Sequence, residues 1–162
     1  MRYILTTLII FVLLAACKSE NKPQEKQTAE QIRRSEHRCA NCGMITSNYP
    51  NWEEKIILIS GDTLYFDGPR CLFFTLLGSD KIASELSTVN VKDYYTLKYI
   101  DAKKAYYVIG SNVLGPMGKE LVPFDNEEAA KEFVKDHKGD RILRFDQVDL
   151  NLIKQLAVKM DM

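Results

Sequence analysis

The run His37-Arg38-Cys39-Ala40-Asn41-Cys42-Gly43-Met44-Ile45 gathers two thiols, a thioether and an imidazole in one short stretch. These are soft donors, and Cu(I) is the metal they favour. Cys39-x-x-Cys42 taken alone admits other chemistry. A structural disulfide, half of a zinc site and a redox dithiol all use this spacing. A redox motif needs a helix starting at its first Cys to lower that thiol's pKa, and here Gly43 and turn residues follow closely. A zinc site needs two more N or S ligands, and only Cys71, His37 and His137 are on offer. Covalent haem attachment needs His after the second Cys, where Gly43 stands.

Copper uses more of the run. Cys42 and Met44 with one further Met or His satisfy Cu(I), and Gly43 lets the backbone turn so that both project to one site. The further contributor is Met117 in Leu114-Gly115-Pro116-Met117-Gly118, a loop expected to hold a large apolar side chain in the open. Cys39 adds a second thiol. His37 reads equally as a ligand or as a solvated residue. His137 closes a helix, where its charge suits the C-terminal dipole. Cys71 falls on an apolar helix and reads as a buried inert thiol. Asp67 and Asp125 each precede a helix and read as N-caps rather than as paired catalytic carboxylates. The sequence has no nucleophile elbow, phosphate loop or Ser/His/Asp constellation, so hydrolytic catalysis has no support, and copper carriage without catalysis is the expectation. A thiol-disulfide oxidoreductase using Cys39 and Cys42, and a structural zinc lipoprotein, are the alternatives.

Lys+Arg and Asp+Glu are 22 each over 162 residues, a balance without the basic footprint of a nucleic-acid binder. A hydrophobic share of 46% is enough for a packed core. The N-terminus sets the compartment. Arg2, an apolar stretch from Ile4 to Leu14, and Leu14-Ala15-Ala16-Cys17 form a secretion signal too short to span a membrane. Its end resembles the lipobox of bacterial lipoproteins, so residues 1–16 are expected to be removed and Cys17 to carry lipid on the periplasmic side of a membrane. Three thiols then remain, Cys39, Cys42 and Cys71. An odd number in an oxidising compartment leaves at least one thiol unpaired.

Residues 17–36 are polar and read as a flexible tether, with a short helix possible over Ala29 to Arg34. A folded domain over 37–162 follows. Ser47 to Asn51 carries turn chemistry. Lys55 to Ser60 has the unbroken apolar run of a strand covered on both faces, Gly61-Asp62 a hairpin signal, and Thr63 to Phe66 a return strand. Arg70 to Leu77 is a helix apolar nearly all round and expected to be buried. Ser79 to Ser87 is a loop or short helix, and Val89 to Asp93, Lys98 to Ile100 and Ala105 to Ile109 are strands. The chain then repeats itself: Gly118 to Asp125 resembles Gly61 to Asp67 with one residue inserted, each ending in Phe-Asp before a helix. The second helix, Asn126 to Asp136, is amphipathic; Gly139 and a strand from Arg141 to Phe145 follow, and then a helix candidate from Leu150 to Met162. The expected fold is α+β, with two similar ββαβ units, about 37–104 and 105–148, plus the C-terminal helix.

The order Cys42-Gly43-Met44-Ile45, Gly61 with Phe66-Asp67, Asp101-Ala102-x-x-Ala105-x-Tyr107-Val108-Ile109-Gly110-Ser111, Met117-Gly118-x-Glu120-Leu121-Val122-Pro123-Phe124, Ala129-Ala130-x-x-Phe133 and Arg144-Phe145 resembles the NosL family. The resemblance spans Cys39 to about Val148. It implies a Cu(I)-binding metallochaperone lipoprotein that delivers copper to nitrous oxide reductase, with a NosDFY-type ABC transporter as docking platform and a lipid anchor in the membrane. It also implies two similar ββαβ units. Carried over by motif, Cys42, Met44 and Met117 are the candidate ligands. Cys39 departs from that set, and copper between both Cys or Cys39 paired elsewhere both stay open.

Overall fold

The computed structural model describes residues 37–158. The leader, the tether, Cys17, the Ala29 to Arg34 segment and the end of the last helix lie outside the described residues. The chain order is β1 (Glu54–Leu58), β2 (Thr63–Phe66), α1 (Pro69–Gly78), α2 (Asp80–Ser84), β3 (Leu86–Lys92), β4 (Tyr99–Asp101), β5 (Tyr106–Ile109), β6 (Leu114–Gly115), β7 (Gly118–Lys119), β8 (Val122–Phe124), α3 (Glu127–Asp136), β9 (Arg141–Arg144) and α4 (Leu150–Val158). No helix among the described residues is long and apolar enough to cross a membrane.

The repeat in the sequence is a repeat in topology. One sheet runs β2-β1-β3-β4 and the other β8-β5-β9. In each, the first strand of the half is central and pairs antiparallel with the strand before the helix and the strand after it. Phe66 faces Glu54 across β1–β2 as Phe124 faces Tyr106 across β5–β8. The sheets are joined where Tyr94 N–H donates to Pro123 O and Asp125 N–H to the Asp93 carboxylate. β6 and β7 form a small hairpin of their own.

Two expectations change. β1 is not covered on both faces: Glu54 and Ile56 are buried, Lys55, Ile57 and Leu58 half-buried, and Ile59 beyond the strand is exposed. Alternation wins because only one face meets the core, and that face admits Glu54 because its carboxylate accepts from Lys92 N–H at 2.6 Å. α1 is also less enclosed than its composition suggests. Pro69 to Phe73 and Leu76 are buried, but Phe74 and Leu77 are exposed.

The main core joins Ile56, Phe66, Leu72, Phe73, Val91, Tyr107, Leu121 and Ile153, and it includes the thiols of Cys39 and Cys71. α4 lies along α1: Leu156 O accepts from the Arg70 guanidinium, so the C-terminal end of α4 meets the N-terminal end of α1. A second cluster packs α3 through Ala130 and Phe133 against Val108, Val122 and Phe124. His137 caps the end of α3, its ring stacked on Phe133.

Candidate metal centre

Gly43 builds the loop that carries the first two thiols. Its φ of +80° is a left-handed conformation that a side chain disfavours. The turn brings Gly43 N–H onto Cys39 O at 2.9 Å and Cys39 N–H onto Met44 O at 2.8 Å. Ala40 N–H donates to Tyr65 O at 2.8 Å, which pins the loop to β2. Cys39 is thereby buried and Cys42 exposed, while Met44 is half-buried on the returning arm.

β2 ends at Phe66, and the next five residues carry the chain into α1. Asp67 and Cys71 from this segment meet the two loop thiols, and the sulfurs of Cys39, Cys42 and Cys71 and a carboxylate oxygen of Asp67 all lie within 4.8 Å of one another. This corrects two expectations. Cys71 is buried but not isolated, and Asp67 is not an N-cap. The cap of α1 is Gly68, with no side-chain bond, while Asp67 Oδ2 faces the Cys42 sulfur at 3.4 Å. Asp125 does not cap its helix either; Asn126 does, accepting from Ala129 N–H.

The start of α1 is capped from the other half of the chain. Arg70 N–H donates to Glu120 Oε1 at 2.6 Å, and Leu121 N–H to the same oxygen at 3.0 Å. Gly68 leaves room for this carboxylate, since a Cβ there would stand 2.6 Å from Glu120 Oε2. Burial pushes Glu120 up to about 8 despite both N–H donors and the Arg70 charge. The Arg70 side chain in turn donates to Met117 O, in the β6–β7 turn. Met117 is therefore not held in the open: it is half-buried against the main core and lines a cleft with Asn41, Cys71, Phe74 and three residues of α4.

The thiols share their protons unequally. The Cys71 thiol donates to the Cys39 sulfur and is the main reason that Cys39 falls from 9.0 to about 6. The same bond, with burial, drives Cys71 far upward. Asn41 Nδ2 donates to the Cys71 sulfur at 3.3 Å. Cys42 is exposed as a residue, but its sulfur turns toward the cluster, and desolvation first, then neighbouring Cys39, push it up to about 11. Asp67 is 1% exposed, and its Oδ1 is a buried oxygen without a hydrogen-bond partner. A buried carboxylate oxygen without a donor is costly, and a cation among the four groups would satisfy it. Three sulfurs, one partly ionised already, and one oxygen form a donor set fit for a soft or borderline metal ion.

His37 lies apart from this group. Its ring stacks on Tyr65 with centroids 3.5 Å apart, and Nδ1 is 3.2 Å from Glu53 Oε2. Glu53 also accepts from Thr46 Oγ1 and Tyr99 OH, and these bonds outweigh burial to hold its carboxyl below the ordinary range. Sequence reasoning thus placed Cys39 and Cys42 at the centre and missed Asp67 and Cys71. The odd thiol count was the signal that could have found Cys71.

The sequence matches the NosL family over residues 31–153. The chain belongs to the NosL family. It is 25% identical over 159 residues to the copper-binding lipoprotein NosL of Stutzerimonas stutzeri, covering 94% of this chain and 83% of that protein. Its fold is similar to the crystal structure of the copper chaperone NosL from Shewanella denitrificans, with a TM-score of 0.64, 26% identity, 71% of this chain covered and 91% of the other. Both NosL relatives are named for copper, the metal that the sulfur-rich cluster suits.

Proposed function

We propose that this chain is a Cu(I) metallochaperone: a lipoprotein anchored through Cys17 on the periplasmic side of a membrane, carrying copper for assembly of the copper centres of nitrous oxide reductase. Delivery would take place at a NosDFY-type ABC transporter complex. The observation that carries the reading is the four-donor cluster of Cys39, Cys42, Asp67 and Cys71, with Met117 on an adjoining cleft. The copper names of both NosL relatives support it.

The arrangement suits carriage more than catalysis. Copper is cargo, held by thiolates at the floor and reached through exposed Cys42. A partner's ligand can attack on that side and displace the protein's donors one at a time. The dithiol-oxidoreductase alternative is less favoured, because Cys39 and Cys42 sit on a turn between extended arms rather than at a helix start, where a reactive thiol gains its acidity.

Anaerobic Cu(I) titration of the detergent-solubilised chain against a competing chelator tests the proposal. Cys42→Ser should weaken binding by more than the roughly 10–100-fold typical of outer-shell changes. Cys39→Ser, Met44→Ala, Met117→Ala and His37→Ala then define the ligand set. Cu(I) must also displace the Cys42 proton, while Cys39 is already ionised above about 6. The Cys71 thiol, likewise held protonated, must also lose its proton to ligate, so affinity should rise about a hundredfold per pH unit from 7 to 9, two protons being released per ion bound. Weak binding unchanged in every variant would remove the copper reading; a flat profile, or tight binding unchanged in every variant, would place the copper outside these thiols.

A further inference from the structure

Of the seven large apolar side chains left exposed among the described residues, three, Tyr95, Leu97 and Leu114, converge on one groove of ≈ 440 Å³. Trp52, Tyr94 and Val113 line it with them. Its volume falls in the range of ligand sites, roughly 300–1,000 Å³. It lies over the second core cluster, against which Trp52, Tyr94 and Val113 pack, whereas Cys39 and Cys71 belong to the main core. Copper carriage by the thiols leaves this groove without a task.

Leu97 is the residue that folding does not account for. Its φ of +58° lies in the left-handed region, which a bulky side chain rarely adopts. The β3–β4 turn imposes it: Asp93 Oδ1 accepts from Thr96 N–H at 2.7 Å and Thr96 Oγ1 at 2.8 Å, and Leu97 N–H donates to Asp93 O at 2.9 Å. Asp93 is buried and its Oδ2 holds Asp125 N–H, so the turn is anchored in both halves. Leu97 nonetheless packs into neither core cluster and stays 45% exposed. Asn or Gly would fit the same turn with less strain. Strain kept at an exposed apolar side chain is a feature of ligand clamps.

One side of the groove is acidic. The Tyr95 ring lies 6.4 Å from that of Phe133 on α3, and Glu132 and Asp136 stand exposed beside Phe133, one turn apart. Burial first, and then these two carboxylates, push the Tyr95 hydroxyl up. Among the described residues neither carboxylate is ion-paired. An occupant therefore meets aromatic faces, aliphatic side chains and two unpaired negative charges. Arg is the side chain that stacks on aromatic rings and also pairs with carboxylates.

We propose that this groove docks a partner protein through an exposed segment presenting an Arg beside an aliphatic side chain, the aliphatic group against Leu97 and Leu114 and the guanidinium against Tyr95 and the α3 carboxylates. Docking there needs no metal and uses none of the thiols. The partner is held over the second core while the sulfurs of the main core stay free for ligand exchange.

Trp52 is the single tryptophan of the chain, so its emission reports on the groove directly. The full chain in detergent is titrated, up to millimolar concentration, with acetylated and amidated Leu-Arg-Leu-Arg and Leu-Glu-Leu-Glu peptides. The titrations are repeated in Leu97→Asn and in the double variant Glu132→Gln, Asp136→Asn. The Arg peptide should shift Trp52 emission saturably and the Glu peptide should not. Each variant should weaken the Arg peptide by about tenfold, the loss expected of an anchor contact. Leu97→Asn should also unfold at the same or a higher denaturant concentration than the wild type, since Asn tolerates the left-handed region, and should keep wild-type Cu(I) affinity. No saturable shift, equal binding of both peptides, or undiminished binding in Leu97→Asn overturns the docking site and leaves the copper reading standing. A Leu97→Asn protein that unfolds at a lower denaturant concentration gives Leu97 a structural role and overturns it too. Trp52 emission that shifts with protein concentration alone places a second copy in the groove and overturns the partner assignment.

Discussion

The two halves of the domain start from one plan and differ where each helix begins. In the second, Phe124-Asp125-Asn126 leads into α3, Asn126 caps its own helix, and Asp125 stays exposed. In the first, Phe66-Asp67-Gly68 leads into α1, and the side chain at the cap position is missing. Glu120, fifty positions from Arg70, takes its place. The exchange has a chemical result: Asp67 is relieved of any capping duty and turns its carboxylate into the thiol cluster. The position four residues on holds Cys71 in the first half and Ala129 in the second. A site has been made by moving a structural task to a distant residue.

The largest expected effect comes from giving the first half its counterpart's residue. Cys71→Ala should keep the fold, Ala being the best helix former, yet lower Cu(I) affinity beyond the roughly 100-fold limit of outer-shell changes. Chelator competition measures it, and wild-type affinity would place Cys71 outside the ligand set. Next, Glu120→Ala strips two buried N–H groups of their acceptor and should cost about 2–3 kcal/mol in denaturant unfolding. Glu120→Gln retains an acceptor and should cost less. It should also flatten a pH dependence. Because burial lifts the folded Glu120 carboxyl from 4.5 to about 8, the native state binds the extra proton, so stability is present at low pH and declines as pH rises between those values. A Glu120→Gln protein with the same decline would assign it to another group. The smallest effect belongs to the second half: Asn126→Ala removes a local cap and should cost about 1 kcal/mol, with Cu(I) affinity unchanged.

What could be read in advance divides along the same line. α3 was legible as Asn126 to Asp136 because a surface helix writes its buried face into the sequence at a regular period, and the duplicated order of strands and helices was legible from the two Phe-Asp segments. The Cys39-x-x-Cys42 run displayed its two thiols directly, and both lie in the cluster. Asp67 and Cys71 were visible as residues but not as partners, since an Asp before a helix and a Cys within an apolar one already have sufficient local explanations. What removes those explanations is Glu120, and no reading confined to neighbouring positions can see it. β1 failed for a related reason: four apolar residues in a row suggest cover on two sides, and only the bond from Lys92 N–H on β3 to the Glu54 carboxylate explains why Glu54, not Ile59, is inside.

Arg70 bridges Met117 and Leu156, 47 and 86 positions along the chain, while its own backbone N–H engages Glu120. Contacts of such separation close late in folding, after shorter loops have formed. The residue before Cys71 therefore acts as a timer. A partly folded chain exposes scattered thiols with little hold on a metal ion, and a concerted grip arises only once the first, middle and last segments have met. Loading is in this way made conditional on completion of the whole domain.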